Sequence, residues 1–596
     1  MRKLLFRQTW LGITAGLLGG LVHAGLLMTL IDAAAVADLG GIDSPGRGLA
    51  LHLTLSAMMG VAYAWLFRPV SDRYAESLMS GWVFGLAWWM LMALNLIPIL
   101  TGKGPQWQVE QVVPLFSGLV GYLLQGAVIG LGYHIFSDLA QYRLGALDEP
   151  MEELAPPQVQ HRVVILGGGF AGVSTAQHLE RLFEKDGGIS ITLISKTNHL
   201  LFTPMLSEIA AGGVEPRHIS TALRSFFRRT QVIRGEVDRV DFGERLVTLA
   251  AEERSAGVSV PFDHLVLALG ALPNFFGMRD VAKQARTFKS LEDATELRNH
   301  VIEMLERADA ETDPKRRKAQ MTFVVAGGGF AGAELVGGLN DFVRGSRWFY
   351  SNVMPEDVSL ILVHSGDRIM PELSAELAQY ACEKLKARGV TFKFGARVKD
   401  AVPGSVTLSD GEIMRAETLV WTAGNSPNPL VRELGVPVDE RGAVKTERTL
   451  AVTGHSNVWA LGDCACVVDS RTGRRCPPTA QHALRQAGTL AHNIRAVLQG
   501  RKTKTFSYRP LGSFALLGYQ TACAEICGLK FSGLLAWWLW RTIYLLKLPS
   551  LEKKIRVALD WTVDLFFPRD IVQTMSFRGE TKRIRAKSIT VEEHRQ

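Results

Sequence analysis

Two glycine-rich segments with the same pattern constrain this chain more than any other feature of its sequence. Each is an apolar run that leads into Gly-x-Gly-x-x-Gly and then into a helical pattern; they are HRVVILGGGFAGVSTAQHLERL (161–182), with Gly167, Gly169 and Gly172, and MTFVVAGGGFAGAELVGGL (321–339), with Gly327, Gly329 and Gly332. The first glycine permits a tight turn, the second a close approach of a pyrophosphate, and the third close helix–strand packing. Each segment therefore predicts a strand, a turn and a helix whose N-terminus binds the phosphates of a dinucleotide.

Two such segments in one chain indicate a site for a flavin dinucleotide and a site for a nicotinamide dinucleotide. Hydride transfer between two such cofactors requires this pairing. Between them and up to about residue 500, short β-branched runs alternate with helical patterns, which predicts an α/β fold with two Rossmann-type domains.

Neither segment is followed by the acidic residue that commonly binds a ribose hydroxyl. The strand pattern ISITLIS ends at Ser195 with Lys196 next, and VSLILVHS offers His364 and Ser365, with Arg368 close by. An acidic residue at the second position would favour NADH and repel the 2′-phosphate of NADPH. Charge alone therefore does not establish a preference for NADH, and NADPH use stays open.

The apolar residues are concentrated at the start of the chain. Hydrophobic residues make up 47% of the chain and mean hydropathy is +0.11, high for a soluble enzyme of this size. Four stretches without charged residues are each close to the roughly 20 residues that cross a bilayer: Leu11–Leu30, Leu49–Phe67, Gly81–Leu100 and Val113–Phe136. Residues 1–145 are thus predicted to form a four-helix transmembrane bundle.

Basic residues at the ends of these stretches predict its orientation. Arg2, Lys3 and Arg7 precede the first stretch and Arg68 and Arg73 follow the second, whereas the other two loops offer only Arg47 and Lys103. Because cytoplasmic loops carry the excess of Lys and Arg, both ends of the bundle and the rest of the chain are predicted to face the cytoplasm, at the cell inner membrane.

The bundle also shows signs of duplication. GVAYAWLF (60–67) and GLGYHIF (130–136) resemble each other about 70 residues apart, and Gly16, Gly19 and Gly20 would allow close helix packing. A plain anchor, or a surface for a homodimer or docking partner, is the preferred hypothesis for the bundle. His23, His52 and His134 leave open the alternative of a b-type haem.

The two ends of the catalytic part differ in character. Residues 146–160 are acidic and contain prolines, which is typical of a linker. Residues 528–548 are apolar and rich in tryptophan, but Lys530, Arg541 and Lys547 interrupt them, so the uncharged run is too short to span. Trp537, Trp538 and Trp540 are predicted to lie at the headgroup boundary, followed by a helix in the membrane interface with one apolar stripe: Ile555, Leu559, Val563 and Phe566.

Charge and cysteine content exclude several classes of function. The net charge of +8 suits anionic lipid, and no nucleic-acid-binding motif is present. Cys382 is the first of six cysteines, whereas a disulfide reductase needs a pair shortly after its first glycine segment. Cys464, Cys466 and Cys476 could bind a soft metal, but no histidine completes a convincing zinc pattern, so no metal site is predicted.

Beyond the glycine segments, several motifs are similar to one family. HLLFTPMLSEIAAG (199–212), HLVLALGALPNFFG (264–277), LVWTAGNSPNP (419–429), NVWALGDCA (457–465) and PPTAQHALRQA (477–487) resemble the type II NADH:quinone oxidoreductases, of the pyridine nucleotide-disulfide oxidoreductase superfamily. The resemblance covers about residues 160–570 and implies a glutathione-reductase-like fold. The four N-terminal helices lie outside it.

The resemblance implies roles for particular residues. Glu334 would lie near the nicotinamide and flavin rings, and Ala480, Gln481 and Gln486 match the quinone site, with Glu334 and Gln481 predicted as catalytic. Asp463 would bind the ribityl–phosphate region of FAD, and Thr203 would approach the flavin. The predicted cofactor-binding residues are Gly167, Gly169, Phe170, Ala171, Gly172, Ser195, Lys196, Thr203, Asp463, Ala480, Gly327, Gly329, Gly332, His364 and Gly424.

These observations predict a membrane-bound enzyme that passes a hydride from NADH to FAD and two electrons to a quinone in the bilayer, without pumping protons. The alternatives are a flavoprotein that feeds a haem or another acceptor in its N-terminal helices, and a redox-sensing membrane protein. The predicted domains are a bundle (1–145), a linker (146–160), an FAD domain in two parts (161–320 and 416–525), an NAD(P)H domain (321–415) and a C-terminal amphipathic region (526–596).

Overall fold

The computed structural model describes residues 2–30, 45–67, 74–100, 102, 104–106, 115–144, 159–250, 257–510 and 512–574. The chain divides into two compact units, Met1–Pro156 and Pro157–Gln596. Most of the predicted linker, the loop residues Arg68, Arg73 and Lys103, and the last 22 residues lie outside the described residues.

The helices and strands of the described residues are numbered here in chain order. The helices are α1 Arg2–Leu30, α2 Pro45–Leu66, α3 Tyr74–Leu91, α4 Ile97–Leu100, α5 Phe116–Leu144, α6 Phe170–Leu182, α7 Leu206–Ala210, α8 Arg279–Gln284, α9 Leu291–Ala310, α10 Pro314–Gln320, α11 Phe330–Ser346, α12 Ala375–Ala387, α13 Leu430–Glu433, α14 Ala480–Leu498, α15 Gly533–Lys547 and α16 Leu551–Phe566. The strands are β1 His161–Leu166, β2 Ile189–Ser195, β3 His199–Leu201, β4 Ser220–Ala222, β5 Gln231–Arg234, β6 Val237–Asp241, β7 Leu246–Leu249, β8 Ser259–Pro261, β9 His264–Leu267, β10 Ala271–Pro273, β11 Arg286–Thr287, β12 Thr322–Ala326, β13 Ser359–His364, β14 Val390–Phe394, β15 Val398–Val402, β16 Ser405–Leu408, β17 Ile413–Arg415, β18 Thr418–Trp421, β19 Asn425–Pro427, β20 Val444–Lys445, β21 Val458–Ala460, β22 Ala465–Cys466, β23 Gly512–Leu516, β24 Ala522–Ile526 and β25 Leu529–Ser532.

The first unit consists of helices that pack in two pairs, α1 with α2 and α3 with α5. In each pair, glycines bring the two backbones together. A Cβ on Gly60 would lie 2.1 Å from the Gly12 carbonyl oxygen, and one on Gly126 would lie 2.2 Å from the Gly81 carbonyl oxygen. A Cβ on Gly16 would likewise meet the Ser56 carbonyl oxygen at 2.3 Å. Small residues therefore determine how closely these helices approach.

Within the described part of the chain, three helical segments are long and apolar enough to cross a membrane: Gly48–Leu66, Glu76–Ile99 and Gly118–Ala140. Helix α1 is not among them. Three apolar helices are therefore shown, and the four-span bundle stays a prediction. The second segment contains a π-helical turn, Met92–Leu96, just before Pro98. Proline cannot donate the backbone hydrogen bond that a regular helix needs at that point.

Histidines in this unit are engaged by neighbouring helices. His23 Nδ1 lies 2.9 Å from Gln125 Oε1, and a Cβ on Gly121 would lie 2.3 Å from His23 Nε2. The ring also contacts His52 edge-on at a centroid separation of 5.2 Å. One nitrogen of His23 is thus hydrogen-bonded and the other is packed on the backbone of a neighbouring helix.

The second unit contains two five-stranded parallel sheets. The first has the order β21-β9-β1-β2-β5 and the second the order β11-β18-β12-β13-β14. Their central strands are apolar and buried on both faces, as parallel sheets require. The antiparallel pair β10 and β19 connects them. The second sheet includes β11 and β18, which lie outside the predicted NAD(P)H domain, 321–415.

The C-terminal part begins with an antiparallel sheet, β23-β24-β25, that precedes α15 and α16. Trp537 and Trp540 are buried in the core, at 3% and 0% exposure, whereas Trp538 is 58% exposed. The prediction that all three lie at the headgroup boundary is therefore wrong for Trp537 and Trp540, which point inward at helical spacing. The predicted apolar stripe of α16 is exposed at Ile555, Leu559, Val563 and Phe566.

Candidate active site

The first glycine segment forms a phosphate-binding turn between β1 and α6. Gly167 has φ +118°, which an L-residue rarely adopts, and a Cβ on Gly172 would lie 1.9 Å from the Gly167 carbonyl oxygen. A Cβ on Gly169 would meet no protein atom within 4 Å. The open side of the turn thus lies over Gly169 at the N-terminus of α6, and the residues there fit the pyrophosphate of a dinucleotide.

The second segment repeats this geometry between β12 and α11. Gly327 has φ +114°, a Cβ on Gly332 would lie 1.8 Å from the Gly327 carbonyl oxygen, and Gly329 again faces open space. Gly327 packs on the backbone of Thr422 and Ala423, which brings the predicted residue Gly424 beside this turn. The ring of Phe276, exposed and at φ +50°, covers Gly424.

The residues at the ends of β2 and β13 contact Gly168 and Gly328, the second glycine of each Gly-Gly-Gly run. A Cβ on Gly168 would lie 2.4 Å from Ser195 Oγ, and one on Gly328 would lie 2.6 Å from His364 Cγ. The Gly328 N–H donates to His364 Nδ1 at 3.1 Å. Burial lowers the pKa of His364, so the ring is neutral at pH 7 and supports the turn. Lys196 instead points outward and pairs with Glu236 at 2.9 Å.

Asp463 lies in a loop that packs against the first turn. A Cβ on Gly462 would lie 3.2 Å from Ala171 Cβ, and the Gly462 N–H donates to the Gln486 side chain at 2.8 Å. Gln486 is buried, and its hydrogen bond to the Gly462 N–H holds this loop in place. Gln486 and Asp463 both line a cavity of about 300 Å³. Lys289 approaches Asp463 at 3.8 Å.

Glu334 lies just after the first turn of α11 and is a half-buried acid. Its Oε1 accepts a hydrogen bond from the Leu516 N–H at 3.0 Å. Burial, with the charge of Glu208 nearby, raises the pKa of Glu334 to about 8. The carboxyl is therefore mostly protonated at neutral pH.

Aromatic rings connect the first turn to α15. Phe170 contacts Phe202 at a centroid separation of 5.9 Å, Phe202 contacts Tyr544 at 6.0 Å, and Tyr544 contacts Phe514 at 6.1 Å. Thr203, exposed, follows Phe202 directly. Tyr544 carries a raised pKa because it is desolvated and close to Glu334. The structure thus brings Phe170, Thr203 and Glu334 into one region.

Gln481 lies at one end of a groove of about 820 Å³ that runs along α14. Its Nε2 donates to the Gly512 carbonyl at 2.9 Å and its Oε1 accepts from the Tyr508 hydroxyl at 3.3 Å. Ala480 is the first residue of the helix. Gln481, Leu484, Arg485, Gly488 and His492 form one face of α14, which extends over about 16 Å. Gln486 points to the other side, so the structure separates the two glutamines of the predicted quinone motif.

Cys464 and Cys476, two members of the predicted cysteine group, are held as thiols. Cys464 is buried and its Sγ lies 3.4 Å and 3.3 Å from the carbonyl oxygens of Leu267 and Leu461. Burial raises the pKa of Cys464 and of Cys476 to about 11, which disfavours the thiolates that a soft metal needs. Among the described residues, no three His, Cys, Asp or Glu side chains are grouped to hold a metal.

Comparison with known proteins identifies the family. Residues 161–487 match the pyridine nucleotide-disulphide oxidoreductase family, and residues 511–570 match the NDH2 C-terminal domain. A Mycobacterium tuberculosis protein named type II NADH:quinone oxidoreductase Ndh is 32% identical over 433 residues, which are 70% of this chain and 91% of that one. The chain belongs to the type II NADH:quinone oxidoreductases.

Other relatives agree with this assignment. The demethylphylloquinone reductase NdbB of Synechocystis is 32% identical, over 67% of this chain and 95% of that one. A solved structure of NDH2 from Plasmodium falciparum in complex with NADH has a TM-score of 0.65 at 19% identity, covering 69% of this chain and all of that one. That structure shows the shared fold of the type II enzymes.

Three further residues in this region of the type II enzyme were not predictable from its motifs. Tyr544, Tyr508 and Lys289 contact predicted site residues or their neighbours but lie outside the quoted motifs. The sequence offered one indication for Tyr544, since it lies in the aromatic segment that was assigned to the membrane surface.

Proposed function

We propose that this protein is a membrane-bound oxidoreductase that oxidises NADH, and NADPH as a weaker substrate, and reduces a quinone. The observation that supports this most directly is the groove beside α6 and α14, with the Gln481 amide at its end next to Tyr508. The two phosphate-binding turns supply the other requirement, one for each dinucleotide. Bound FAD would accept a hydride from the nicotinamide and give two electrons to the quinone.

The chain's own residues would hold and orient the cofactors. The turn at Gly167–Gly172 would bind the FAD pyrophosphate, and the loop at Asp463, held by Gln486, would bind the ribityl region. The turn at Gly327–Gly332 would bind NADH. The segments 161–320 and 416–525 would then serve FAD, and 321–415, with β11 and β18 added, would serve NADH.

Glu334 would supply a proton during quinone reduction. Its carboxyl is neutral at pH 7 because of burial, and Oε1 is fixed by the Leu516 N–H. A buried acid with a pKa near the working pH is suited to general acid catalysis. Above about pH 8 the carboxyl loses its proton, and this contribution would be lost.

The quinone would enter from the membrane through the groove. Gln481 has one amide N–H left beyond its bond to Gly512, which would donate to a quinone carbonyl. Helices α15 and α16 would lie in the interface through their exposed apolar residues. The N-terminal helices would anchor the enzyme with both ends in the cytoplasm, as the flanking Arg and Lys indicate. The absence of a line of carboxylates in the predicted spans supports a reaction without proton pumping.

The test uses the full chain purified in mild detergent. NADH loss is followed with a short-chain ubiquinone, with NADPH as the comparison, and a visible spectrum is taken of the same sample. Quinone-dependent NADH oxidation with only flavin bands is expected, and Gln481→Ala should raise the quinone KM about tenfold, while NADH still bleaches the flavin. A haem band, or a flavin that reduces but never passes electrons to quinone, would contradict the proposal and favour another acceptor or a redox-sensing role.

A further inference from the structure

The charged residues that line the groove along α14 are all basic. Its lining includes Arg485, Lys504, Lys547 and the imidazoles of His178 and His492, and none of its described lining residues is Asp or Glu. A neutral quinone does not need such a lining. A cavity with basic groups and no acid attracts an anion.

Arg485 and Lys547 concentrate this charge. Both line the groove, and the contacts that the structure gives their charged groups are with aromatic rings: Arg485 lies 5.7 Å from the Tyr508 ring centroid and Lys547 lies 5.9 Å from that of Tyr544. The pKa of Lys547 is lowered by partial removal from water and by the charge of Arg485. Two like charges that disfavour each other would both be stabilised by an anion between them.

The position of this pair indicates where the anion comes from. Lys547 is the last residue of α15, and its neighbour Leu546 is 67% exposed. Leu535 and Trp538 of the same helix are also exposed. An exposed apolar helix face that ends at a basic groove matches a phospholipid, because the acyl chains would contact the face while the phosphate reaches the basic groups.

We infer that Arg485 and Lys547 bind the phosphate of an anionic phospholipid at the membrane end of the groove. A headgroup with an added cation, such as phosphocholine, would bring that cation close to the same two basic groups, so a net negative headgroup is preferred. The inference rests on the proposed contact of α15 with the membrane and does not depend on quinone turnover.

The experiment titrates the full chain in mild detergent with phosphatidylglycerol or phosphatidylcholine and counts bound lipid by native mass spectrometry. The variants are Arg485→Gln, Lys547→Gln and the double variant. Arg556→Gln is the matched control, since it removes a basic group from α16 that pairs with Glu552 outside the groove. FAD content and melting temperature check that each variant is folded, and Arg485→Lys and Lys547→Arg test whether charge alone restores binding.

One phosphatidylglycerol should bind in preference to phosphatidylcholine, and each Gln variant should weaken it about fivefold. The control and the two charge-conserving variants should bind as the unchanged protein does. Equal binding of both lipids, or unchanged binding by a folded double variant, would overturn the inference. Displacement of the lipid by inorganic phosphate at equal concentration would also overturn it, because the ligand would then be a soluble anion. Quinone turnover is measured on the same samples, so its absence alongside the expected lipid binding would contradict only the proposed function.

Discussion

The two glycine segments have nearly the same backbone but different surroundings. Their first glycines differ by only 4° in φ, and the close contacts at Gly172 and Gly332 differ by 0.1 Å. Two residues beyond that last glycine, however, Ser174 of α6 lines the groove, whereas Glu334 of α11 is an acid with a raised pKa. The backbone is therefore nearly the same in both predicted dinucleotide-binding turns, whereas the side chains around each turn differ.

The largest effect on activity is expected at Glu334, the residue that differs most from its counterpart in the other glycine segment. Glu334→Gln keeps the shape of the side chain but removes its ionisable proton, so quinone reduction should slow about a hundredfold at neutral pH. In the unchanged enzyme, kcat/KM for quinone should fall as pH rises through about 8, because Glu334 then loses its proton. The variant should lack this fall. A variant with full activity or the same pH profile would show that Glu334 is not the acid.

The next effect separates the two turns. Because Gly169 and Gly329 face open space at extended φ, alanine at either should leave the fold intact and meet only the cofactor. We expect Gly169→Ala to weaken FAD binding by about 2 kcal/mol, so that the variant loses FAD during purification. Gly329→Ala should keep FAD and raise the NADH KM about thirtyfold. Flavin absorbance and steady-state rates measure both, and the opposite pattern would reverse the assignment of the two sites.

A smaller effect concerns the ends of the two strands. His364→Glu places a carboxylate where the NADPH 2′-phosphate would lie, so kcat/KM for NADPH should fall about tenfold relative to NADH. Replacement of the imidazole that accepts from the Gly328 N–H should cost about 1 kcal/mol of stability, measured by thermal unfolding. His364→Gln is the control for that replacement, and an equal fall in NADPH use there would show that charge is not the cause.

The smallest effect is expected at Ser174, the counterpart of Glu334. Its hydroxyl lies 3.4 Å from His178 Nδ1. Ser174→Ala should change quinone turnover less than twofold at every pH. A large, pH-dependent change would mean that both helices carry a group that takes part in proton transfer.

The glycine segments and the strand ends were predictable because local geometry dictates them. A turn with positive φ and a close helix contact admits only glycine, and the runs that end at Ser195 and His364 are apolar and β-branched on both faces. The family, the cofactors FAD and NADH, and the quinone chemistry that the motifs implied are confirmed by the relatives.

Long-range packing was less predictable. Trp540 and Tyr544 lie in a segment whose composition suits a membrane surface, but one face of α15 packs on the catalytic core. His364 occupies the position of a ribose ligand yet hydrogen-bonds the turn, which depends on a neighbour 36 residues earlier. The strand β11 has only two residues, which is too short for a recognisable sequence pattern. Its place in the second sheet could therefore not be predicted.

The strand order has a consequence for synthesis on the ribosome. Strand β21 completes the first sheet beside β9, whereas every strand of the second sheet comes from one continuous stretch that precedes it. The domain proposed to bind NADH can therefore reach its final fold before the last strand of the proposed FAD domain, and α14, are synthesised. A chain interrupted before Val458 should thus hold a folded inserted domain between two incomplete pieces, and FAD would be acquired late, after most of the protein has left the ribosome.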